Sequence, residues 1–306
     1  MTSPDLYPHR GFMLDTGRKF FPVEAILSLL TVLHQYNFNV FHWHIYDAES
    51  FPVHWPEEGL GLTNVSLRHG CSARCYSPGD IARVVEWGRR LGVLVYPETD
   101  VPGHCDIWGL WKKHLVVGRP NPKQPEAQLD ITHSETYDHI ASLVSTVDRY
   151  FGSAPLHHFG GDEVAYIWQT ADDNKLFESF LHWLQTLHPR TNKSLVLWDD
   201  PLTDEGKNVR LSKDWIIQTW HNGVSGEIVE RGHRVIVSES DVFYIGNADK
   251  GKMEGFVFPE GERVLGFEVV WFTSEGDDPW DFRESWVMEP IKAASRIRRN
   301  NTRNRR

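Results

Sequence analysis

Along the chain, short runs rich in β-branched and aromatic residues alternate with longer stretches whose apolar positions recur every three to four residues. The short runs fall at 11–17, 38–47, 92–100, 156–164, 194–200, 215–221, 234–240 and 263–272, and each has the composition of a strand. Helical spacing occurs near 22–36, 79–91, 134–151, 173–187 and 223–232. The second of these carries its own start signal: Ser77, Pro78, Gly79 and Asp80 supply capping and turn residues before the apolar stripe. Over 241–262 the helical pattern fades, so the crossover between the seventh and eighth strands is the least defined.

Eight strands alternating with helices predict a (β/α)8, or TIM, barrel for this α/β chain of 306 residues. A doubly wound open sheet would alternate in the same way, but no glycine-rich nucleotide turn follows the first strand. The barrel also accounts for where polar and aromatic residues collect. Asp15, Asp47, Asp100, Asp162, Glu163, Trp198, Trp220 and Trp271 stand where strands end. In a barrel those ends open on one face, the face that carries active sites. The expected organisation is one domain over 1–306 with no linker, ending in a basic run at 291–306 that reads as a solvated terminus.

Composition narrows the partner. A formal charge of −10 disfavours nucleic acid or an anionic membrane. The first apolar segment, Pro22 to Leu33, is too short for a membrane span and contains Glu24. Thirteen tryptophans suit a sugar-binding cleft, because the apolar faces of pyranose rings stack on indole. Nothing at the N-terminus reads as a signal peptide, while the sequons at Asn64, Asn192 and Asn300 would acquire meaning only on a secretory route. Localisation therefore stays open at this point, as does pairing between Cys71 and Cys75, the near neighbours among three cysteines.

The chemistry centres on His157–Val164, which reads HHFGGDEV. A two-carboxylate glycosidase needs its acid and its nucleophile or base on opposite sides of the sugar, roughly 5–9.5 Å apart. Asp162 and Glu163 are chain neighbours. On a regular strand they would point to opposite faces, and even re-aimed by Gly160 and Gly161 they project from one wall. A 2-acetamido sugar resolves the difficulty, since its own carbonyl oxygen can attack C1 and form an oxazolinium ion. The protein then needs a general acid for the leaving oxygen, a role that suits Glu163. It also needs a carboxylate to orient the acetamido N–H and steady its charge, a role that suits Asp162. This substrate-assisted route is a known exception to the two-carboxylate scheme.

Several motifs accompany this one in order: His9-Arg10-Gly11, Asn39 to Asp47 (NVFHWHIYD), Pro97 to His104 (PETDVPGH), then Phe159 to Val164. Together, from about His9 to Trp271, they resemble the catalytic barrel of glycoside hydrolase family 20, the β-N-acetylhexosaminidases. The resemblance implies removal of terminal, non-reducing, β-linked N-acetylglucosamine or N-acetylgalactosamine with retention, and a glycan as partner. It implies no cofactor and no metal. It makes Arg10 the arginine that binds sugar hydroxyls at the bottom of the pocket, and places Asp100 and His104 in a network that helps hold Glu163 protonated. Trp198 and Trp220 become pocket walls, Tyr244 the hydroxyl that holds the acetamido oxygen in line, and Trp271 the residue closing the pocket. Dimers in the family make a homodimer one expectation for assembly, and a secretory or lysosomal setting is the family's suggestion.

The chain also departs from the pattern. After the eighth strand, Thr273 stands where the family has a glutamate for distal hydroxyls, with Glu275 two residues on. The segment after Ser285 is shorter than the family's last helices, which would leave the final helical layer truncated, and no small domain precedes the barrel. These departures keep a weak or inactive sugar-binding barrel as the alternative. A metal-dependent amidohydrolase is the other, on His42 and His44 with His157, His158 or His221 recruited as further ligands.

Overall fold

The computed structural model describes residues 6–119, 127–152, 154–165, 168, 172–188, 193–247 and 250–299. Among the described residues ten strands form: β1 (His9–Asp15), β2 (Val40–His44), β3 (Leu94–Glu98), β4 (Val116–Val117), β5 (Gln128–Leu129), β6 (Leu156–His158), β7 (Ser194–Trp198), β8 (Ile216–Thr219), β9 (Arg234–Val237) and β10 (Val264–Trp271). Eight close a barrel in the order β1-β2-β3-β6-β7-β8-β9-β10, each pair parallel. These eight correspond to the eight predicted runs: β1 begins two residues before its run, β2, β3, β8 and β10 begin one or two residues inside theirs, and all end earlier where the chain leaves the sheet for a loop. The remaining pair, β4 and β5, is a short antiparallel ribbon in the long connection after β3, a region without strand periodicity.

Helices Val23–Gln35, Pro78–Leu91, Ser134–Tyr150, Asp173–Thr186 and Ser225–Glu230 fill the crossovers where helical spacing was read. Ser77 caps the second: its hydroxyl accepts the Asp80 amide while Asp80 reaches back to the Ser77 amide at 2.9 Å. Among its described residues, the weak seventh crossover holds the short helices Ser240–Phe243 and Lys250–Glu254. The last described helix is Ser285–Ala294, whose Val287, Ile291, Ala293 and Ala294 are buried, so a packed helix follows β10. None of the described helices is long and apolar enough to cross a membrane. Cys71, Cys75 and Cys105 are free thiols. Asn64 lies on the helix Leu60–His69, whereas Asn192 and Asn300 fall outside the described residues.

Strand alternation decides what reaches the site. On β1, Phe12 and Leu14 join the outer core under the helices, while Met13 joins an inner cluster with Trp198 and Val270. On β10, Val269 and Trp271 belong to the outer core and Val270 to the inner one. The inner cluster supports Trp220, Tyr244 and Phe272 from below. Deeper in the barrel the filling turns polar, with fully buried His42, Glu98, His158, Gln218 and Glu268.

Candidate active site

Strand β6 stops at His158, so the following Gly-Gly-Asp-Glu is loop rather than strand. Gly160 and Gly161 take φ values of 62° and 81°, and Glu163 takes 50°, all left-handed. Gly160 has a second reason to be glycine: a Cβ there would lie 1.8 Å from Asp100 Oδ1. The turn frees the two carboxylates from strand alternation. Asp162 is buried at 8% exposure, and the Glu163 side chain is 63% exposed. Both line a cavity of about 200 Å³ together with Arg18, His104, Trp220, Tyr244 and Phe272. That volume lies below the roughly 300–1,000 Å³ of drug-sized sites and suits one sugar ring.

His104, itself left-handed at φ 48°, links the carboxylates. Its Nδ1 lies 2.6 Å from Asp100 Oδ2 and its Nε2 3.1 Å from Glu163 Oε2. Burial opposes a charge on His104, but Asp100, Asp162 and Asp47 outweigh it and raise its pKa well above the usual imidazole range. The imidazolium then donates to Glu163, and that hydrogen bond leads the causes that lower the Glu163 pKa. The network therefore favours ionised Glu163 in the unliganded protein, opposite to the expectation that it holds the proton in place. Burial first, then the Asp100 charge, raises Asp162 well above the carboxylate range. Its Oδ1 is buried without a hydrogen-bond partner.

Of the residues expected at the pocket, Asp162, Glu163, His104, Trp220 and Tyr244 line it, and Asp100 stands directly behind His104. Trp198 lies beneath, its ring 6.1 Å from that of Phe272 and its Nε1–H donated to Glu98 at 2.9 Å. Trp271 points outward to Phe21 and Trp286, and Phe272 takes the pocket position. Arg10 belongs to the other end of the barrel. It starts β1 and donates to the backbone oxygens of Tyr7 and Asn37, at 2.6 and 2.7 Å. Thr273 turns away, bonding to Asp15.

The model for "Glycosyl hydrolase family 20, catalytic domain" matches residues 7–257. The chain belongs to that family. It is 30% identical over 276 residues to Beta-hexosaminidase 1 of Coccidioides posadasii, covering 78% of this chain and 45% of that protein. It is 32% identical over 262 residues to Beta-hexosaminidase subunit beta of Felis catus, covering 76% and 46%. The chain thus spans a little under half the length of these curated relatives. A solved family 20 exo β-N-acetylglucosaminidase from Vibrio harveyi superposes with a TM-score of 0.83 over 99% of this chain and 56% of that one, at 19% identity, a likeness of fold.

Within this family 20 barrel the arginine at the pocket is Arg18, not Arg10. Its guanidinium sits 3.1 Å from Asp15, 3.0 Å from Asp47 and 3.3 Å from Glu49, and 5.1 Å above the Phe272 ring. Burial alone would weaken its charge, but Asp47, Asp15 and Glu49 raise its pKa further. The sequence held the clue, because Arg18 follows the C-terminal end of a strand whereas Arg10 stands at its start. Phe272 was legible too, since it lies one residue past Trp271 and alternation turns it inward.

The HRG motif proves architectural. His9 Nε2 lies 2.7 Å from Glu268 Oε1, and Gly11 leaves room for that side chain, since a Cβ would meet Glu268 Cγ at 2.4 Å. The two histidines of HWH serve the same interior. His42 sits 3.0 Å from both Glu268 and Glu98, and His44 2.6 Å from both Glu98 and Asp47. Burial opposes their charge, yet these carboxylates raise both pKa values. His42, Glu98 and His158 are close enough to hold a cation, but of the further histidines only His158 stands beside His42, while His157 faces Asp148 and His221 faces Asp199. The donor set does not fit the amidohydrolase reading.

Proposed function

We propose that this chain is a β-N-acetylhexosaminidase barrel that releases terminal β-linked N-acetylglucosamine or N-acetylgalactosamine with retention of configuration. The observation that carries the reading is the buried Asp162 Oδ1, which has no hydrogen-bond partner and only a 3.9 Å contact with His104 Nδ1, in a one-sugar cavity beside an exposed acid. A buried polar atom without a partner is costly, and an acetamido N–H supplies the missing donor. Such a donor, together with the positive charge that grows on the oxazolinium, favours ionised Asp162 against its burial.

The steps follow from the side chains. Arg18 donates to ring hydroxyls, Trp220 and Phe272 bound the apolar faces, and the Tyr244 hydroxyl donates to the acetamido oxygen. That oxygen forms a bond to C1 while the glycosidic C–O bond breaks, and Glu163 passes its proton to the departing oxygen. Water then adds to C1 from the vacated side, giving its proton to Glu163 as the oxazolinium ring opens. A seated substrate strips water from Glu163 and raises its pKa, which offsets the lowering by His104 and prepares it as an acid.

The test is hydrolysis of 4-nitrophenyl N-acetyl-β-glucosaminide beside the plain β-glucoside, by the wild type and Glu163→Gln. Turnover of the acetamido substrate alone, reduced by roughly 10²–10⁴ in the variant, is the expected result. Equal turnover of both substrates overturns substrate assistance. Tight binding of a thiazoline mimic without turnover would favour the sugar-binding barrel instead.

A further inference from the structure

Three consecutive strand ends, after β6, β7 and β8, meet at one carboxylate. Asp200 follows β7 and is 1% exposed. Its Oδ1 accepts the backbone N–H of Glu163 at 2.8 Å, and its Oδ2 accepts the indole N–H of Trp220 at 2.6 Å. Its neighbour Asp199 accepts the backbone N–H of Trp220 at 2.7 Å and contacts the His221 ring at 2.8 Å. The wall tryptophan is therefore fixed at both its backbone and its ring.

Glu163 needs such a hold. Its left-handed φ of 50° is one that a non-glycine residue keeps only where the surroundings over-determine it. Other site contacts act on the Glu163 side chain, whereas the Asp200 bond fixes its backbone. A hydrogen bond to an ionised acceptor is roughly twice as strong as a neutral one.

We propose that Asp200 is a positioning residue that ties the general acid Glu163 and the pocket wall Trp220 into one rigid frame. It rests on the hexosaminidase reading for the role of Glu163, whereas the brace itself is geometry. Burial raises the Asp200 carboxyl to about 6, against the bonds from Glu163 and Trp220 that favour its charge. The charged and titratable groups around it are Asp199 and Asp204, which raise it further, and Asp162, His221 and Tyr244, which feel its charge. Ionised, Asp200 accepts both N–H groups. Protonated, one oxygen becomes a donor and one bond is lost.

The experiment compares wild type, Asp200→Asn, Trp220→Phe and the double variant in the full chain. It follows turnover of the nitrophenyl substrate and the Trp220 indole N–H resonance, assigned by its disappearance in Trp220→Phe. The Asn amide turns a donor toward the indole or toward the Glu163 amide. The expected loss in kcat for Asp200→Asn is about tenfold to a hundredfold, with KM changed less than about threefold. The double variant should be about as slow as Asp200→Asn alone, because both substitutions break the same contact. The indole resonance should titrate near pH 6 in wild type and lose that titration in Asp200→Asn.

Retention of kcat within about twofold, or fully additive losses, overturns the brace. If Asp200→Asn fails to fold, wild type alone decides: an indole resonance that does not titrate with Asp200 overturns it. If the indole titrates but wild type hydrolyses nothing, the hexosaminidase reading has failed and the brace stands.

Discussion

Arg10 and Arg18 bracket β1, one at each end of the barrel, and their partners differ in kind. Arg10 donates to backbone oxygens of Tyr7 and Asn37, tying the entry of the chain to the turn before β2. Arg18 stands among Asp15, Asp47 and Glu49 and faces the cavity. Arg10 is buried and the Arg18 side chain is 24% exposed, a difference too small to assign their roles. Carbonyl partners consume an arginine's donors in holding loops together, whereas a carboxylate cage on one side leaves donors to aim at a ligand. The strand end at which a residue sits matters more than the motif it belongs to.

The sharpest test of that contrast is the pair Arg18→Met and Arg10→Met. Loss of Arg18 removes hydrogen bonds from a charged donor and should lower kcat/KM by about a hundredfold, close to 3 kcal/mol. It also leaves buried Asp15 without its cation and Asp47 paired with His44 alone, so the melting temperature should fall as well. Arg10→Met should lower the melting temperature and leave kcat/KM within about twofold. An Arg10 variant that melts normally and loses turnover as heavily as Arg18→Met would undo the division between the two ends.

This contrast also shows what the sequence could and could not disclose. All eight barrel strands were legible, because β-branched runs bounded by turn residues are a local signal. The place of Asp162 and Glu163 at the pocket was legible because they close a predicted strand at the end that opens on the barrel's active-site face. Arg18 and Asp200 were not singled out: their roles depend on which residues of other strands they meet, and Asp200 joins positions 37 and 20 residues away. Trp271 was misread by a single residue of alternation, and one residue on a strand is a change of face. The direction of the Glu163 pKa depended on whether His104 is charged, which Asp100, Asp162 and Asp47 decide together.

A second test concerns charges that serve the fold. On the outer side of β6, His157 contacts Asp148 at 3.0 Å and stacks 4.4 Å from the Phe159 ring. Burial lowers its pKa from 6.5 to about 4, and Asp148, against its own burial, is held down to about 2 by His157 and Lys193. Both groups bind protons more weakly in the folded state. Stability is therefore full above about pH 6.5 and declines as the pH falls toward 4, on the order of 2 kcal/mol from His157, with Asp148 adding loss below about 4. Thermal melts from pH 7.5 to 4 should show this slope, and His157→Gln should flatten its upper part. A slope unchanged in the variant would assign it to other groups.

The smallest effect separates two neighbouring aromatics, Trp271 and Phe272. Phe272 lies under Arg18 and 5.5 Å from the Tyr244 ring, on the cavity. Phe272→Leu forfeits a cation–π contact of about 0.5–1 kcal/mol, so KM should rise roughly two- to fivefold while the melting temperature changes little. Trp271 faces Phe21 and Trp286 and donates to Asp277 at 3.2 Å. Trp271→Phe should lower the melting temperature by a few degrees and leave KM unchanged. The two substitutions are adjacent and comparable in size, so general loosening of the β10 end would move both readouts in both variants. A clean crossing, with KM following Phe272 and stability following Trp271, would place the boundary between binding surface and core at a single peptide bond.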